Sequence, residues 1–448
     1  MGKYFGTDGV RGLANDKLTP ELAFKLGRAG AAVLLEGHQG DRPVIFIGRD
    51  TRRSGTMLEA ALAAGICSVG VDVYRLGVVP TPVVAWLTAN CGGAAGVMIS
   101  ASHNPSPDNG IKFFSGDGFK LPDETEAAIE AHLDAAEDTL PRPTGEALGV
   151  VEDRFDLVEN YVRHVTQAFS QGLSGLNVAL DVGHGAAYAL APRVLRALGA
   201  HVQVLNDAPD GDNINRGCGS THMEMLQAKV REGGFQLGIA FDGDADRMLA
   251  VDETGSTVDG DHIMLICLEH ALATGRLKSP SLVATVMSNM GFEEAVQRLG
   301  GELVRAKVGD RYVLEEMKAR DIRIGGEQSG HLIFLDDNTT GDGLNSALRL
   351  LSALKAAGEP LSVLSAKMTD YPQVLKNVRL ASTQGWQQNA AIAKAISDAD
   401  AELAGNGRLL VRASGTEPLI RVMVEGKDDA QIHAVCDRLI GVISTELA

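Results

Sequence analysis

Residues 44–52, VIFIGRDTR, begin the pattern that decides the fold of this chain. The apolar run ends in a polar loop, a helical segment follows near Met57 to Ser68, and Gly70 leads into a second apolar run, VDVYRL. A strand, a helix and a strand of these lengths are typical of a βαβ unit, in which the two strands lie parallel and the helix covers one face of the sheet.

The same order of elements occurs twice more along the chain. VALDVGHG from Val178 is followed by LAPRVLRALGA and HVQVL, and LVATVMSNMG from Leu282 is followed by FEEAVQRLGG and ELVRAKVG. Strands that alternate with helices in this way indicate sheets that carry helices on their faces. We therefore expect three related α/β domains with mixed, mostly parallel sheets.

The C-terminal region has a different order. A strand, QVLKNVRL, precedes a helix near residues 390–403, and RLLVRA and LIRVMVEG follow as two strands joined by the loop SGTEP before a helix at 430–447. A short loop that contains Gly and Pro favours an antiparallel strand pair. We predict a smaller α+β domain here, and four domains around a central cleft at residues 1–150, 151–255, 256–368 and 369–448.

Composition narrows the class of protein. The chain has 448 residues, 45% of them hydrophobic, which is enough for about three or four domains. Its formal net charge is −17, from 58 acidic and 41 basic residues. A negative field of this size repels nucleic acids and anionic membranes, so we expect neither as a partner. Attraction of a phosphorylated ligand would have to come from a few well-placed cationic groups.

The cysteines and the N-terminus predict a cytoplasmic protein. The five cysteines are odd in number and have no CxxC spacing, which favours reduced thiols over a disulfide framework or a zinc site. MGKYFGTDGVRG lacks the apolar core and the cleavage signal of a secretory peptide. No apolar run approaches the ~20 residues that a membrane span needs.

Residues 97–114, VMISASHNPSPDNGIKFF, hold a candidate nucleophile. The apolar run breaks at Ser, His, Asn and Pro and re-forms beyond Asn109 and Gly110, a pair that predicts a turn. The loop would present Ser102 and His103 on an exposed tight turn at a strand end. An ordinary solvated turn has the same composition, so this segment does not decide the function by itself.

The segment FDGDADR, residues 241–247, predicts a metal site. Asp242, Asp244 and Asp246 alternate along a loop between two apolar runs, so their carboxylates can converge. Carboxylates this close repel one another unless a cation lies among them, and Mg²⁺ suits oxygen ligands. The alternative is a calcium-binding EF-hand, but the sixth position is Arg247 instead of Gly, and the flanks resemble strands.

Two further loops carry polar groups suited to a phosphorylated sugar. RASGTEPLIR, residues 412–421, combines a glycine-containing turn with two flanking arginines, which fits a phosphate dianion, although a plain hairpin turn would also fit. In GGEQSGH, residues 325–331, Glu327 and Ser329 can bind adjacent sugar hydroxyls. Arg11 and Lys112 are more often surface charges, and only the neighbouring motifs make them candidates.

These four motifs, in this order, make the chain resemble the α-D-phosphohexomutase superfamily from Tyr4 to Glu425. FGTDGVRG, TTGDGL and GEQSGH resemble the branch that acts on amino sugars. The resemblance implies that Ser102 carries a phosphoryl group and shares one Mg²⁺ with the three aspartates. It also assigns sugar hydroxyls to Glu327 and Ser329. The residues that it implies for the distal phosphate are Arg412, Ser414, Gly415, Thr416 and Arg421.

The reaction implied by the resemblance interconverts glucosamine 6-phosphate and glucosamine 1-phosphate through a 1,6-bisphosphate. Charge on the transferring phosphoryl group would be neutralised by Mg²⁺ together with Arg11, Lys112 and Arg247. A general acid/base must move a proton, and Lys112, His331 and His103 all remain candidates. The expected partner is a phosphorylated amino sugar, and the expected assembly is a monomer or a homodimer.

Three alternatives stay open at this stage. A mutase of the same superfamily would act on mannose or glucose phosphates, a serine phosphatase would release phosphate to water, and a sensor would only bind a sugar phosphate. A phosphatase of this kind usually holds two metals, whereas the sequence has one carboxylate cluster. Ala245, Ala413 and Gln328 depart from residues common in the superfamily, namely Gly, Pro and Met, and Gln328 favours the amino sugar.

Overall fold

The computed structural model describes residues 2–40, 42–413 and 418–447. These residues form four sheets, of six, five, four and three strands. The predicted fold class is confirmed, since three α/β units with mixed sheets precede a smaller α+β unit. Among the described residues, no helix is both long enough and apolar enough to cross a membrane.

The first unit contains the six-stranded sheet. Its elements are β1 (Val10–Leu13), α1 (Pro20–Leu34), β2 (Val44–Arg49), α2 (Gly55–Cys67), β3 (Asp72–Val78), α3 (Thr81–Asn90), β4 (Ala95–Ile99), β5 (Asp108–Ser115), α4 (Asp123–Leu133) and β6 (Val151–Asp153). The strand order is β1-β5-β4-β2-β3-β6. β2 is parallel to β3 and β4, as the βαβ pattern predicts, and β5 runs antiparallel to β4 and β1.

The predicted turn at Asn109 and Gly110 is wrong. Both residues lie inside β5, where they pair with Gly12 and Arg11 of β1. The side-chain amide of Asn109 donates to Ser54 Oγ, and its oxygen accepts from the Gly110 N–H. The polar side chain is therefore satisfied within the strand and does not need a turn. The pairing with β1 joins segments about a hundred residues apart, which a local turn signal does not reflect.

The second unit contains a five-stranded sheet in the order β11-β10-β9-β7-β8. Its elements are α5 (Val158–Ala168), β7 (Asn177–Asp181), α6 (Leu190–Ala197), β8 (His201–Leu205), α7 (Glu224–Arg231), β9 (Leu237–Phe241), β10 (Met248–Asp252) and β11 (Thr257–Val258). β7 is parallel to β8 and β9. β9 and β10 form an antiparallel pair joined by residues 242–247, which we call the acidic loop.

The third unit repeats this plan with four strands in the order β13-β12-β14-β15. Its elements are α8 (Gly260–Ala273), β12 (Leu282–Thr285), α9 (Met290–Arg298), β13 (Leu303–Ala306), α10 (Asp310–Arg320), β14 (Ile324–Gly326), β15 (Leu332–Phe334), α11 (Gly343–Ala357) and α12 (Leu361–Ser365). β12 is parallel to β13 and β14.

The fourth unit is an antiparallel three-stranded sheet covered by two helices. Its elements are β16 (Gln373–Arg379), α13 (Ala390–Leu403), β17 (Gly407–Ala413), β18 (Leu419–Gly426) and α14 (Asp429–Glu446). β18 lies between β16 and β17 and is antiparallel to both. The predicted antiparallel pair is therefore confirmed.

A shared apolar core holds the first three units together. One continuous cluster of buried side chains includes Met98 of the first unit, Phe241 of the second and Phe292 of the third. The fourth unit has a separate core around Val422 and Val435. The first three units thus share buried apolar surface, whose removal from water is the main stabilising contribution in a fold of this kind.

Helices α1 and α2 pack closely enough to require glycine. A Cβ added at Gly65 would lie 2.1 Å from the carbonyl oxygen of Phe24, and one added at Gly27 would lie 2.3 Å from that of Leu62. Real Cβ atoms do not approach backbone this closely, so the helices would have to separate.

We predict opposite signs for two Gly to Ala substitutions in helices. Gly65→Ala should lower the free energy of unfolding by about 1–3 kcal/mol because of overpacking. Gly441→Ala in α14, where a Cβ would meet nothing within 4 Å, should raise it by up to about 1 kcal/mol because Ala is the better helix former. Urea denaturation of both variants checks this, and two changes of the same sign would contradict it.

Candidate active site

Three loops meet in one cleft, and each follows the carboxyl end of a strand in a parallel part of its sheet. Ser102 follows β4, Asp242 follows β9, and Glu327 follows β14. Loops at this end of α/β sheets are the usual place for a ligand. The cleft includes a cavity of about 440 Å³ whose lining comes from all four units.

Ser102 is buried, contrary to the exposed turn expected from the sequence, with only 1% of its surface accessible. The acidic loop of the second unit covers it: a Cβ on Gly243 would lie 2.5 Å from the Ser102 carbonyl oxygen. Ser102 has a φ of 52°, which is uncommon for a residue with a side chain. Its Oγ lies 2.5 Å from Asp242 Oδ2. The serine hydroxyl therefore points into the acidic cluster.

The three aspartates converge as predicted. Asp242, Asp244 and Asp246 are buried, and one carboxylate oxygen from each lies within 4.8 Å of the others. Asp244 Oδ1 and Asp246 Oδ1 have no hydrogen-bond partner among the described residues. Buried oxygens without partners are costly unless a cation or donor meets them. The residues therefore fit a metal site, and the flanking strands β9 and β10 rule out the helices of an EF-hand.

Lys112 lies in the same cluster and is not a surface charge. Its side chain is 2% exposed, and its Nζ is 2.9 Å from Asp244, 3.1 Å from Asp8 and 3.5 Å from Asp246. It comes from β5, so its position depends on the register of β5 with β4 and β1. One buried ammonium thus balances part of the charge of the buried aspartates.

The aspartates differ in how strongly they hold a proton. Burial and the charges of Asp246 and Asp244 raise the pKa of Asp242 well above its usual range. Burial also opposes ionisation of Asp246, but Lys112 and His331 outweigh it and keep the pKa of Asp246 well below its usual range. The carboxyl next to Ser102 is the one with the least cationic support.

The three acid/base candidates have different surroundings. His103 Nδ1 is 3.3 Å from Ser102 Oγ, and burial together with the charges of Arg247 and Arg11 lowers the pKa of His103 to about 4. His331 Nδ1 is 3.6 Å from Asp246, and its Nε2 accepts from the Gly341 N–H at 3.2 Å. Of these three described residues, only His103 is within hydrogen-bond distance of the serine hydroxyl.

The GEQSGH loop brings Glu327 to the cavity. Glu327 is half-buried, and its Oε1 accepts from the Gly309 N–H at 3.1 Å. Ser329 is exposed and does not line the cavity. Gln328 donates to Asp259 Oδ2 at 2.9 Å, so its amide is used within the third unit.

The phosphate-binding prediction falls partly outside the described residues. Arg412 and Arg421 lie opposite each other on β17 and β18, and both line the cavity. Burial and the charge of Arg421 lower the pKa of Arg412. Ser414, Gly415 and Thr416 are not among the described residues. The structure therefore brings Arg11, Arg247, Arg412 and Arg421 to one cavity.

Sequence reasoning missed several polar residues at this site. Thr81 at the start of α3 donates to Asp244 Oδ2 at 2.6 Å. Lys120 connects Asp8 of the first unit and Asp310 of the third at 2.6 and 2.5 Å. Asp8 lies in FGTDGVRG, so a closer reading of that motif could have found it. Thr81 has no signal of its own in the sequence.

Comparison with known proteins gives a consistent family. Phosphoglucomutase/phosphomannomutase models match the alpha/beta/alpha domains I, II and III at residues 2–140, 159–255 and 259–371, and the C-terminal domain at 375–442. A phosphoglucosamine mutase of Symbiobacterium thermophilum is 59% identical over 448 residues, which is 100% of both chains. One of Bacillus subtilis is 53% identical over 447 residues, covering 100% of this chain and 99% of that one.

Solved structures agree on the fold. A phosphoglucomutase/phosphomannomutase family protein of Burkholderia thailandensis has a TM-score of 0.82 and 25% identity, covering 99% of this chain and 98% of that chain. An N-acetylphosphoglucosamine mutase of Aspergillus fumigatus, solved with GlcNAc-6P and magnesium, has a TM-score of 0.70 at 18% identity and covers 99% of this chain and 96% of that one.

We predict that the ammonium of Lys112 is required for stability as well as for the site. Lys112→Met should lower the free energy of unfolding by about 3–5 kcal/mol, because it leaves buried carboxylates without their cation. Adding Asp244→Asn should recover part of the loss. Lys394→Met is the control, since the Lys394 side chain is 74% exposed in a surface ion pair, and should leave stability unchanged. Equal urea midpoints for the two lysine variants would contradict the prediction.

Proposed function

The chain belongs to the phosphoglucomutase/phosphomannomutase family, and we propose that it interconverts glucosamine 6-phosphate and glucosamine 1-phosphate. The full-length identity of 59% and 53% to phosphoglucosamine mutases supports this substrate over glucose or mannose phosphates. The observation that carries the chemistry is the 2.5 Å contact between Ser102 Oγ and Asp242. That contact joins a nucleophile to a carboxylate cluster at the edge of a cavity lined with arginines.

Ser102 would act as the carrier of the phosphoryl group. From phosphorylated Ser102, a bond forms between phosphorus and the 1-hydroxyl oxygen of glucosamine 6-phosphate while the bond to serine Oγ breaks. The proton of the sugar hydroxyl leaves, and Oγ takes up a proton. The bisphosphate then turns around, and a bond forms between Oγ and the 6-phosphoryl phosphorus while the bond from phosphorus to the sugar 6-oxygen breaks. Oγ gives up its proton, the 6-oxygen takes one up, and glucosamine 1-phosphate is released. Covalent capture on serine lets two transfers replace one difficult exchange.

The residues proposed to hold the cation are Ser102 and the three aspartates. Their unpartnered oxygens and oxygen-only chemistry suit Mg²⁺, one ion per chain. A bound Mg²⁺ would supply positive charge next to the transferring phosphoryl group. We thus propose a phosphoserine at Ser102, one bound Mg²⁺, and a phosphorylated amino sugar as the binding partner.

The cationic side chains of the cavity would do the remaining electrostatic work. Arg11 and Arg247 line the cavity beside the acidic loop, where planar guanidinium groups can meet phosphoryl oxygens. Lys112 would keep Asp244 and Asp246 ionised. The proton of each transfer would pass through His103, Lys112 or His331, and the 3.3 Å contact to Ser102 Oγ favours His103 on geometry.

Substrate binding would use both remaining loops. Glu327 is proposed to bind the sugar hydroxyls from the cavity wall, and Ser329 to bind them from its exposed position on the same loop, outside the cavity lining. Arg412 and Arg421 are proposed to bind the phosphate that is not reacting, with Ser414, Gly415 and Thr416 completing that site. The domain boundaries stay predictions, as do the cytoplasmic location and a monomeric or homodimeric state.

The proposed activity makes the protein a source of an amino-sugar 1-phosphate. Later activation of this product would give a sugar nucleotide, including cell-wall precursors.

We predict that Ser102→Ala abolishes mutase activity and covalent phosphorylation. Purified wild type should contain a fraction heavier by the mass of one phosphoryl group, and Ser102→Ala should contain none. Ser106→Ala, in the same loop, is the control and should keep both activity and the heavier species. Intact-mass spectrometry measures this, and full activity of Ser102→Ala would end the proposal.

The substrate is tested by comparing kcat/KM for glucosamine, glucose and mannose 6-phosphates under saturating Mg²⁺. We expect glucosamine 6-phosphate to exceed glucose 6-phosphate by about tenfold or more, because a charged hydrogen bond to the amine contributes about 1.5–3 kcal/mol. Activity on glucose 6-phosphate should remain measurable, since Glu327 and Ser329 would bind hydroxyls that both sugars share. A higher value for glucose or mannose phosphate would move the chain to the alternative substrate class.

A further inference from the structure

The loop that carries Ser102 is held from inside by one buried arginine. The guanidinium of Arg52 is fully buried, and its Nη2 donates to the carbonyls of Ser102 and Asn104 at 2.9 and 2.8 Å. Its Nη1 donates to the carbonyls of Pro105 and Asp108 at 2.5 and 3.0 Å. Three carbonyls of this loop and the carbonyl of the first residue of β5 therefore share a single planar donor group.

Asp50 extends this anchor to the other side of the Ser102 backbone. It pairs with Arg52 Nε at 2.9 Å and accepts the hydroxyl of Ser100 at 2.6 Å. Ser100 Oγ in turn accepts the N–H of Ser102 at 2.9 Å. Both the N–H and the carbonyl of Ser102 are thus tied, directly or through Ser100, to the Asp50 and Arg52 pair.

A second donor to the same carbonyl comes from the second unit. Asn215 Nδ2 lies 2.8 Å from the Ser102 oxygen and 3.2 Å from the Asn104 oxygen. Asn215 is 7% exposed and has a φ of 59°. The carbonyl of Ser102 is therefore held from its own unit and from the unit that carries Asp242.

This double anchoring meets a geometric need. Ser102 adopts a left-handed backbone with a φ of 52°, which residues with a Cβ adopt only when their surroundings require it. In-line phosphoryl transfer depends on the position of the serine oxygen, and a misplacement of about 1 Å can cost ~10²-fold in rate. Arg52 and Asn215 donate to the carbonyl of Ser102, whereas Ser102 Oγ pairs with Asp242 and His103.

We propose that Arg52 and Asn215 are positioning residues for phosphoryl transfer, which fix the Ser102 carbonyl from two units and so aim Ser102 Oγ at the carboxylate cluster. The proposal rests on the proposed phosphoryl transfer at Ser102. Substitution of either residue should lower the rate of the chemical step and leave sugar binding unchanged, because both residues act through the backbone of the nucleophile.

The first test is Arg52→Lys compared with Arg28→Lys. Lysine keeps a cation beside Asp50 but cannot reach four carbonyls, so kcat should fall at least about tenfold while KM stays within about twofold. Arg28 is also a buried arginine of the first unit that binds carbonyls, those of Ser68, Leu140 and Pro141. Its lysine variant should show a similar loss of thermal stability with an unchanged kcat.

The second test keeps the outcome decidable if Arg52→Lys does not fold. Asn215→Gly retains the left-handed backbone, because glycine adopts positive φ readily, and removes the amide donor. Asn206→Gly is the matched control, since Asn206 has a φ of 56° in the same unit and its side-chain amide donates to Met225 Sδ instead of to the Ser102 loop. We expect a loss of kcat with unchanged KM for Asn215→Gly alone.

A mass measurement separates this proposal from the proposed function. Each protein, first dephosphorylated, is mixed with glucose 1,6-bisphosphate, and the phosphorylation of Ser102 is followed over time. A wild type that is never phosphorylated would overturn the proposed function. A phosphorylated wild type whose Arg52→Lys and Asn215→Gly variants react as fast as their controls would overturn the positioning roles only.

Discussion

The crowding of three buried carboxylates is the constraint on which this architecture depends. Like charges a few ångströms apart in a site of low polarity repel strongly, and each must be met by a cation, a donor or a proton. Lys112 comes from the first unit, the aspartates from the second and His331 from the third. The charges of the cluster are therefore balanced only when the three units are packed together. The continuous apolar core through those units holds them in this arrangement.

The fourth unit stands in a different relation to the site. It has its own core, and it contributes two arginines on adjacent antiparallel strands instead of carboxylates. Its contacts with the third unit are specific: Arg408 donates to the carbonyls of Val286 and Ser288, and Glu425 accepts from the Met290 N–H. A unit that is joined through polar contacts at one edge can carry a phosphate-binding group without disturbing the carboxylate cluster.

Local patterns in the sequence predicted the fold class, but they predicted only part of the strand pairing and part of the site. Alternation of apolar runs and helical segments predicted the units, because strand and helix periodicity are local properties. The prediction failed at Asn109 and Gly110, where pairing with a distant strand overrides the turn preference, and at Ser102, which the second unit covers. Thr81 and Arg52 were missed for the same reason. Their roles depend on Asp244 and on loop carbonyls brought near by the fold.

The distribution of charge explains how an acidic protein can use an anionic substrate. Its net charge is −17, but salt screens exposed charges beyond about 10 Å at 0.1 M ionic strength, so the groups at the cavity decide binding. Arg412 and Arg421 can meet a phosphate dianion without help. Beside Ser102, the three aspartates and Asp8 face Lys112, Arg11 and Arg247. Under the proposed mechanism, a phosphoryl group on Ser102 would add further negative charge there, which a bound cation would offset. We therefore expect Arg412 and Arg421 to contribute most of the binding affinity for a sugar monophosphate, and the region around Ser102 to carry out the phosphoryl transfer.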